Sequence, residues 1–312
     1  MRRHRLLALP PLVATLGACH AVVLHPAGEI AAGQRDLLVE ASALMLLIIV
    51  PVMVLTVLFA WRYRASNEAA RYRPDWEHSI HLELVIWAAP LLIIICLGAL
   101  TWVGTHLLDP YRPLEPAAAQ DAAAPAQPPL RVDVVALDWK WLFIYPDYGI
   151  ATVNDLAAPV GRPIEFHITA SSVMNSFYIP ALAGQIYAMP GMQTQLAAVI
   201  DRPGTYEGFS ANYSGAGFSG MHFLFHGLAA PGFAHWVAAV RATGGALSPD
   251  VYRTLARPSE REPVRRYSSV APGLYQSILA MCAGPDQHCK RGMPSMPGMP
   301  SSPGAPMRPP AS

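Results

Sequence analysis

Two long apolar segments near the start of the chain constrain its fold more than any other feature. Residues 37–60 and 82–103 are almost wholly apolar, and each is at least as long as the ~20 residues that a helix needs to cross a bilayer. Pro51 is tolerated inside the first segment because neighbouring helices can satisfy the freed carbonyl. Only 14% of the residues are charged, against about 25% in ordinary soluble domains. The sequence therefore predicts a membrane protein with a hairpin of two spanning helices.

Basic residues predict the orientation of this hairpin. The connecting loop, 61–81, is rich in arginine, whereas the preceding segment, 19–36, contains only Arg35. The arginines of the loop are Arg62, Arg64, Arg71 and Arg73. Because positive charge is retained on the cytoplasmic side of a membrane, the loop is predicted to be cytoplasmic and both termini to lie outside.

The first residues are typical of a secretory signal. A basic cluster is followed by a short apolar stretch, Leu6 to Leu16, that is too short to span a bilayer. The next residues, Leu16-Gly17-Ala18-Cys19, resemble a bacterial lipobox, in which cleavage precedes the cysteine and the thiol carries lipid. We expect a signal peptide over 1–18 and lipidation of Cys19, with a plain signal peptide as the alternative.

The chain changes character after the second span. Residues 104–129 are rich in proline and alanine and read as a semi-rigid linker. From Leu130, short segments of strand composition alternate with turn signals such as Pro159-Val160-Gly161. This pattern predicts an all-β Greek-key sandwich over 130–245.

A C-terminal extension is predicted over 246–291. Ser248 followed by Pro249 is a typical helix start, so the extension is expected to be short and helical. Residues 292–312 consist mainly of Met, Pro, Ser and Gly, and this composition predicts disorder.

Catalytic motifs are not visible in the sequence. There is no internal repeat, phosphate-binding glycine loop or nucleophile motif. The net charge of +1 gives no indication of a nucleic-acid partner. No catalytic residue is therefore predicted.

The loop from Ser210 to Met221 carries the strongest signal. Its spacing resembles the copper-ligand loop of cytochrome c oxidase subunit II, Cys-x-Glu-x-Cys-x-x-x-His-x-x-Met, and the upstream segment 173–177 resembles that family's Val-x-His-Ser-Phe. Only Met221 keeps its ligand type. The other five ligand positions hold Asn175, Ser210, Asn212, Ser214 and Phe218. Hydroxyl, amide and phenyl groups do not replace the thiolates and imidazoles that bind copper, so no metal site is predicted.

A loop that keeps the ligand spacing but lacks the copper ligands makes this sequence resemble subunit II of bacterial cytochrome bo-type ubiquinol oxidases, in the haem–copper oxidase family. Further matches lie at 137–146, 173–180 and 184–192, and the resemblance covers roughly 16–280. It implies a cupredoxin-like periplasmic domain on an inner-membrane hairpin. It also implies that this chain has no cofactor, and that the haems, the copper and the quinol site belong to subunit I.

By the same resemblance, the complex would oxidise ubiquinol, reduce dioxygen to water and pump protons. The expected partners are subunits I, III and IV and membrane lipids, and no nucleic acid. One alternative is a menaquinol oxidase subunit II. Another is a membrane-anchored cupredoxin-like lipoprotein that acts in assembly or copper delivery.

Glu83, at the start of the second span, is a further candidate residue. A carboxylate at the membrane edge is a functional hypothesis by default, and the segment resembles one whose Glu lies at the mouth of a proton channel. The alternative is a solvated carboxylate near Arg71 or Arg73. Trp139 and Trp141 resemble the electron-entry aromatics of cytochrome c oxidases, but packing is the favoured interpretation without copper.

Three other groups have weaker signals. His222 and His226 would share one face of a strand, and a metal pair is the less favoured reading. Cys282 and Cys289 are close enough in sequence for a disulfide in an oxidising compartment, while Cys96 reads as a core residue. The methionines of the tail, with His288, could bind cuprous ion through thioethers, but low-complexity disorder is favoured.

Overall fold

The computed structural model describes residues 21–71, 74–114 and 128–284. The predicted signal peptide, Cys19, Cys289 and the tail 292–312 lie outside these residues, as does half of the linker, 115–127. What the sequence predicts for them stays a prediction.

Two long helices form the hairpin. Helix α1 (Glu29–Arg62) contains the predicted span 37–60, and helix α2 (Ile80–Leu107) contains the predicted span 82–103. Pro51 and Pro90 lie inside them. Both helices are long and apolar enough to cross a membrane, and almost none of their most apolar windows is buried within the chain. Their side chains must therefore be covered by lipid or by a neighbouring subunit rather than by this chain's own core.

The segment before the first span docks on the rest of the chain. The backbone amides of Ala27 and Gly28 both donate to the carbonyl of Ala181, at 2.8 and 3.1 Å, and Gly28 forms an isolated bridge with Ile200. A Cβ atom at Gly28 would lie 2.5 Å from the Val199 carbonyl oxygen. Only glycine allows this close backbone approach, which fixes the start of α1 against the sandwich.

The remaining chain forms a two-sheet sandwich, which confirms the predicted fold class. In chain order the strands are β1 (Leu130–Leu137), β2 (Lys140–Tyr145), β3 (Ile150–Val153), β4 (Asp155–Pro159), β5 (Ile164–Ala170), β6 (Asn175–Ile179), β7 (Ala183–Ala188), β8 (Thr194–Ala198), β9 (Gly204–Ser210), β10 (His222–Leu228), β11 (Gly245–Leu247) and β12 (Arg265–Val270). The first sheet has the strand order β11-β12-β3-β2-β1-β5-β8, and the second has the order β4-β10-β9-β6-β7. The pairs β1–β5 and β4–β10 are parallel, and they arise where the chain crosses between the sheets.

An aromatic core lies between the two sheets. The Phe177 and Phe223 rings stack 5.4 Å apart, and Trp141 meets both of them edge-on. Offset and edge-on pairs of this kind add to the burial of large apolar rings. Trp141 and Phe223 lie at the end of this core where β9 and β10 are joined.

A second core lies on the outer face of the seven-stranded sheet. It is covered by the C-terminal extension, whose helices are α4 (Pro249–Leu255) and α5 (Leu274–Leu279), after helix α3 (Ala230–Thr243). Val135 and Leu142 of the sheet pack there with Tyr252 and Ile278 of the extension. This explains why β2 is buried at every position on both faces.

The extension differs from the predicted all-helical segment. Strands β11 and β12 add to the seven-stranded sheet, with β12 antiparallel to β3. The predicted helix start is present, because the Ser248 hydroxyl accepts a hydrogen bond from the Val251 amide. The strand Arg265–Val270 carries two adjacent arginines and no regular apolar alternation, so its pairing depends on β3 and not on its own pattern.

Candidate functional site

The loop 210–221 joins β9 to β10 at one end of the five-stranded sheet. The amide of Ser210 donates to the carbonyl of Met221 at 3.2 Å, which closes the loop at its base. A short 3₁₀ turn, Phe218–Gly220, precedes Met221. Strand β6 runs beside β9 and brings Asn175 to the same end.

Three of the six predicted ligand positions are buried at this end of the sheet. The Ser210 hydroxyl donates to the Asn175 side-chain carbonyl at 3.1 Å, and the Asn175 side-chain amide donates to the Val173 carbonyl at 3.1 Å. Ser210, Asn175 and Met221 are all buried. Asn175 and Ser210, which are 35 residues apart in the chain, thus meet at this end of the sheet, and neither side chain is a metal-binding group.

The other three positions lie in the outer part of the loop. The Asn212 side-chain amide donates to the carbonyls of Met174 and Tyr213, at 3.4 and 3.2 Å. The Phe218 ring packs against Tyr213 with centroids 5.7 Å apart. The Ser214 hydroxyl is buried without a hydrogen-bond partner among the described residues.

These donors do not fit a copper centre. The thioether of Met221 is the only soft ligand left at these positions, and one thioether is too few ligands for a copper centre. Within the described ranges there is also no group of three or more His, Cys, Asp or Glu residues that could hold a metal ion. The hydrogen bond between the Ser210 and Asn175 side chains occupies two of the positions where metal ligands would stand.

Trp139 holds the loop from the sandwich side. Its indole nitrogen donates to the Ser214 carbonyl at 3.0 Å, and a Cβ atom at Gly217 would lie 2.5 Å from its ring. The ring thus rests directly on loop backbone, which a larger residue would push away. Trp141 is fully buried in the aromatic core. Both tryptophans are in packing positions, as the favoured interpretation predicts.

The two histidines of β10 already have partners. His222 contacts Glu207 at 2.8 Å and the Ser219 carbonyl at 3.1 Å. His226 contacts Asp155 at 3.1 Å through Nε2 and Thr205 at 3.1 Å through Nδ1. They share the outward face of the strand, and each ring contacts a neighbouring group of this chain at both nitrogens.

The protein comparisons give the chain's relationships. A family model described as "Cytochrome C oxidase subunit II, periplasmic domain" matches residues 148–227, and one described as "COX Aromatic Rich Motif" matches residues 241–286. The chain is 46% identical over 296 residues to the cytochrome bo(3) ubiquinol oxidase subunit 2 of Pseudomonas putida, covering 94% of this chain and 90% of that protein. It is 49% identical over 267 residues to the ubiquinol oxidase subunit 2 of Acetobacter aceti, covering 85% and 84%.

The chain belongs to the ubiquinol oxidase subunit 2 family. The predicted relationship is thereby confirmed. Among solved structures, the periplasmic domain of subunit II of cytochrome oxidase from Bradyrhizobium japonicum is 22% identical, with a TM-score of 0.34, and covers 35% of this chain and 91% of that one. The two spanning helices and the match to a periplasmic domain fit an inner-membrane protein.

In this ubiquinol oxidase subunit 2 relative, Glu83 lies in the first turn of α2. Its carboxylate contacts His78 Nδ1 at 2.5 Å, and both side chains are exposed. The alternative interpretation named Arg71 and Arg73 as neighbours. Arg73 lies outside the described residues, and the contact found is with a histidine, a residue that sequence reasoning missed.

The two described cysteines differ in their bonding state. Cys96 is a free thiol on the exposed surface of α2, so it lies outside this chain's own core, where lipid or a neighbouring subunit would cover it. Cys282 is disulfide-bonded. Because Cys289 lies outside the described residues, its pairing with Cys282 stays a prediction.

Sequence reasoning also missed a buried lysine. Lys140 is 1% exposed, and its ammonium donates to the carbonyls of Asp138 and Arg257, at 3.1 and 2.9 Å. It also contacts the Ser259 hydroxyl at 2.5 Å, which donates to Glu262 at 2.6 Å. Burial lowers the pKa of Lys140, and the nearby Glu262 charge opposes this. The network fastens the extension to β2, and no local pattern around Lys140 signals it.

A second polar cluster lies beneath α5. Arg131 Nε donates to Asp133 at 2.9 Å, and His167 Nδ1 lies 3.6 Å from the same carboxylate. Burial raises the pKa of Asp133, against the hydrogen bond from Arg131. Burial also lowers the pKa of His167, and the Arg131 charge adds to this effect. In both groups the shift is in the direction that burial produces, because a buried site disfavours the charged form.

Proposed function

We propose that this chain is subunit II of a proton-pumping terminal oxidase that oxidises ubiquinol and reduces dioxygen to water, and that the chain has no redox centre of its own. The family relationship supports the first part. The observation that carries the second part is the contact between Ser210 and Asn175 at 3.1 Å, where hydrogen-bonding groups stand at two copper-ligand positions. The haems and copper are then proposed to belong to subunit I.

The role of the chain is proposed to be structural support. The hairpin leaves its apolar side chains uncovered, as expected of helices that pack against subunit I, subunits III and IV, or lipid. The docked start of α1 joins this membrane part directly to the sandwich. The outer domain would thus be held in a defined position above the membrane.

Glu83 is proposed to lie at the mouth of a proton-uptake channel. Its exposed position at the start of α2 supports this, as does its contact with His78, a second side chain that can carry a proton. A His78–Glu83 pair at the cytoplasmic end of the helix could exchange protons with solvent and pass them to the adjacent subunit.

The processing proposals concern residues outside the described ranges. A signal peptide over 1–18, lipid on Cys19 and a Cys282–Cys289 disulfide are supported by the sequence, and the arginines of loop 61–81 predict the outward-facing N-terminus that lipidation requires. The proposed domain limits also follow the sequence. The extension 246–291 nevertheless shares a core with the sandwich and should be kept with it in any fragment.

Ubiquinol is favoured over menaquinol because relatives at 46% and 49% identity are named ubiquinol oxidase subunits. Copper delivery is disfavoured because loop 210–221 offers a single thioether. Lys140 and the aromatic core serve packing in either case.

The test is to purify the chain from its native membrane through an affinity tag. We expect a multi-span haem-bearing subunit to co-purify, with ubiquinol oxidase activity in the isolated complex. Activity with menaquinol but not ubiquinol would select the menaquinol alternative. A tagged chain that is intact and folded, yet purifies without haem and without activity, would support the assembly lipoprotein instead.

A further inference from the structure

A cleft opens between the two spanning helices at the end next to the sandwich. Its volume is about 600 Å³, within the ~300–1,000 Å³ typical of small-molecule sites. The first three turns of α1, the last turns of α2, and Arg112 and Leu114 line it. The walls are mainly leucine, valine and isoleucine, and the opening lies at the depth where the apolar span 37–60 begins.

Glu40 makes this cleft unusual. It is the only charged residue in the span 37–60, and it lies ~5 Å inside the outer end of that span at 1.5 Å per residue. Its side chain is exposed and has no hydrogen bond or ion pair with any described residue. By contrast, Asp36, one turn away, is paired with Arg35 at 2.6 Å. An unpaired carboxylate at membrane depth is costly and calls for a partner.

The rest of the cleft adds one cation. Arg112 donates to the Leu107 carbonyl at 3.2 Å, which holds its guanidinium at the end of α2, where it lines the cleft. Glu29 and Asp36 also line the cleft with Glu40. A ligand that satisfies this set needs an ammonium for the carboxylates, an anionic group for Arg112 and apolar chains for the walls.

We propose that the cleft binds a phospholipid with a primary ammonium headgroup, phosphatidylethanolamine, with the ammonium on Glu40 and the phosphate on Arg112. A purely anionic lipid would face three carboxylates. A choline headgroup has no N–H to donate, so it forfeits the charge-assisted hydrogen bonds. A helix of another subunit is about 10–12 Å across and does not enter a cleft of this volume between packed helices.

The experiment uses the full chain in the purified complex after delipidation. Phosphatidylethanolamine that carries a photoreactive acyl chain is added, and the labelled peptides of this chain are mapped. We expect labelling of the helix segments 29–40 and 100–114. Phosphatidylcholine of the same chain composition should compete about tenfold less well, as expected for the loss of charged hydrogen bonds.

Variants identify the groups responsible. Glu40→Gln and Arg112→Gln should each reduce labelling about tenfold, and Glu40→Asp should retain most of it. Glu68→Gln, at the opposite end of the hairpin, is the matched control and should label like the wild type.

Three results would overturn the proposal. One is equal competition by phosphatidylcholine, and another is unchanged labelling in Glu40→Gln. The third is loss of a partner subunit from the Glu40→Gln complex, which would make Glu40 a protein contact. Because the wild-type labelling map needs no variant, a failure of a variant to assemble does not remove the primary readout. Oxidase activity, measured in parallel, tests the proposed function separately.

Discussion

At the scale of single residues, Glu83 contacts a histidine and not one of the described loop arginines. His78 lies five residues earlier, in the stretch that leads into α2, and meets the carboxylate at 2.5 Å. Both side chains stay exposed, so the pair is open to water on one side and adjoins the membrane on the other.

Replacement of Glu83 by Gln should slow turnover. The amide keeps the shape and removes the proton-exchanging group, and a decrease of about tenfold would correspond to ~1.4 kcal/mol on the barrier. Steady-state oxygen consumption of the assembled complex, from about pH 6 to about pH 9, measures this. Glu68→Gln serves as the control. Turnover equal to the wild type across that range, at full assembly, would favour a merely solvated carboxylate.

Replacement of Lys140 by Met should destabilise the outer domain. Methionine fills similar space but leaves the carbonyls of Asp138 and Arg257 without their donor, which should cost about 2–4 kcal/mol. Chemical denaturation of residues 128–284, which contain both cores, measures the loss. Ser259→Ala removes one contact of the same network and should cost about 1 kcal/mol. A Lys140→Met domain as stable as the wild type would mean that the network contributes nothing.

The stability contributed at Lys140 should also depend on pH. Burial lowers the pKa of Lys140 in the folded domain below the ordinary 10.5. Between the folded-state pKa and 10.5, the unfolded chain therefore binds more protons than the folded one. Stability therefore rises with pH through that window. The Lys140→Met domain should lack this alkaline rise, and denaturation midpoints at neutral and alkaline pH provide the comparison. A rise of the same size in both proteins would assign it to other groups.

At the scale of elements, three strands and a tryptophan hold loop 210–221 in place. β9 and β10 hold its base, β6 presents Asn175 beside Ser210, and Trp139 covers its glycines. Phe218 is only half-buried, so its replacement should cost less than that of a core phenylalanine.

Restoration of the ligands should restore a copper site. The variant combines Asn175→His, Ser210→Cys, Asn212→Glu, Ser214→Cys and Phe218→His, with Met221 kept. In residues 128–284 it should bind copper and show intense visible charge-transfer absorption. Copper at 100 times its dissociation constant should add ~2.7 kcal/mol of stability. The variant without the two Ser→Cys changes is the control and should stay colourless. A folded, colourless five-fold variant would show that the loop lacks the inferred geometry.

The sequence predicts elements best where periodicity or spacing is local. The two spans follow from apolar length alone, and the loop follows from the positions of Ser210 and Met221. The early start of α1 at Glu29 was missed because contacts with Ala181 decide it. Strand β12 was missed because its pairing with β3 is non-local, and the burial of Lys140 depends on carbonyls 117 residues away, at Arg257.

At the scale of the molecule, attachment to the membrane depends on the hairpin. Both helices expose apolar surface along their length, and burial of each methylene in lipid is worth ~0.8 kcal/mol. An acyl group on Cys19 would add to this without being required. The lipid would instead fix the position of the mature N-terminus.

Mature protein should therefore begin at Cys19 with lipid on the thiol, and Cys19→Ala should remain in the membrane fraction. Mass spectrometry of the N-terminal peptide and carbonate extraction of membranes measure the two expectations. Cys96→Ser, which removes the free thiol of α2, is the control and should keep the lipid. An unmodified Cys19, or cleavage at another residue, would contradict the lipoprotein proposal.

The docking of Gly28 against Val199 and Ala181 has a consequence in time. These contacts join residues that emerge from the ribosome far apart, since Ala181 follows Gly28 by roughly 150 residues, or on the order of ten seconds of synthesis. During that interval the segment before α1 has no surface to dock on. The proposed signal cleavage and acylation at Cys19 thus have an interval before Gly28 docks, and completion of the sandwich ends that interval.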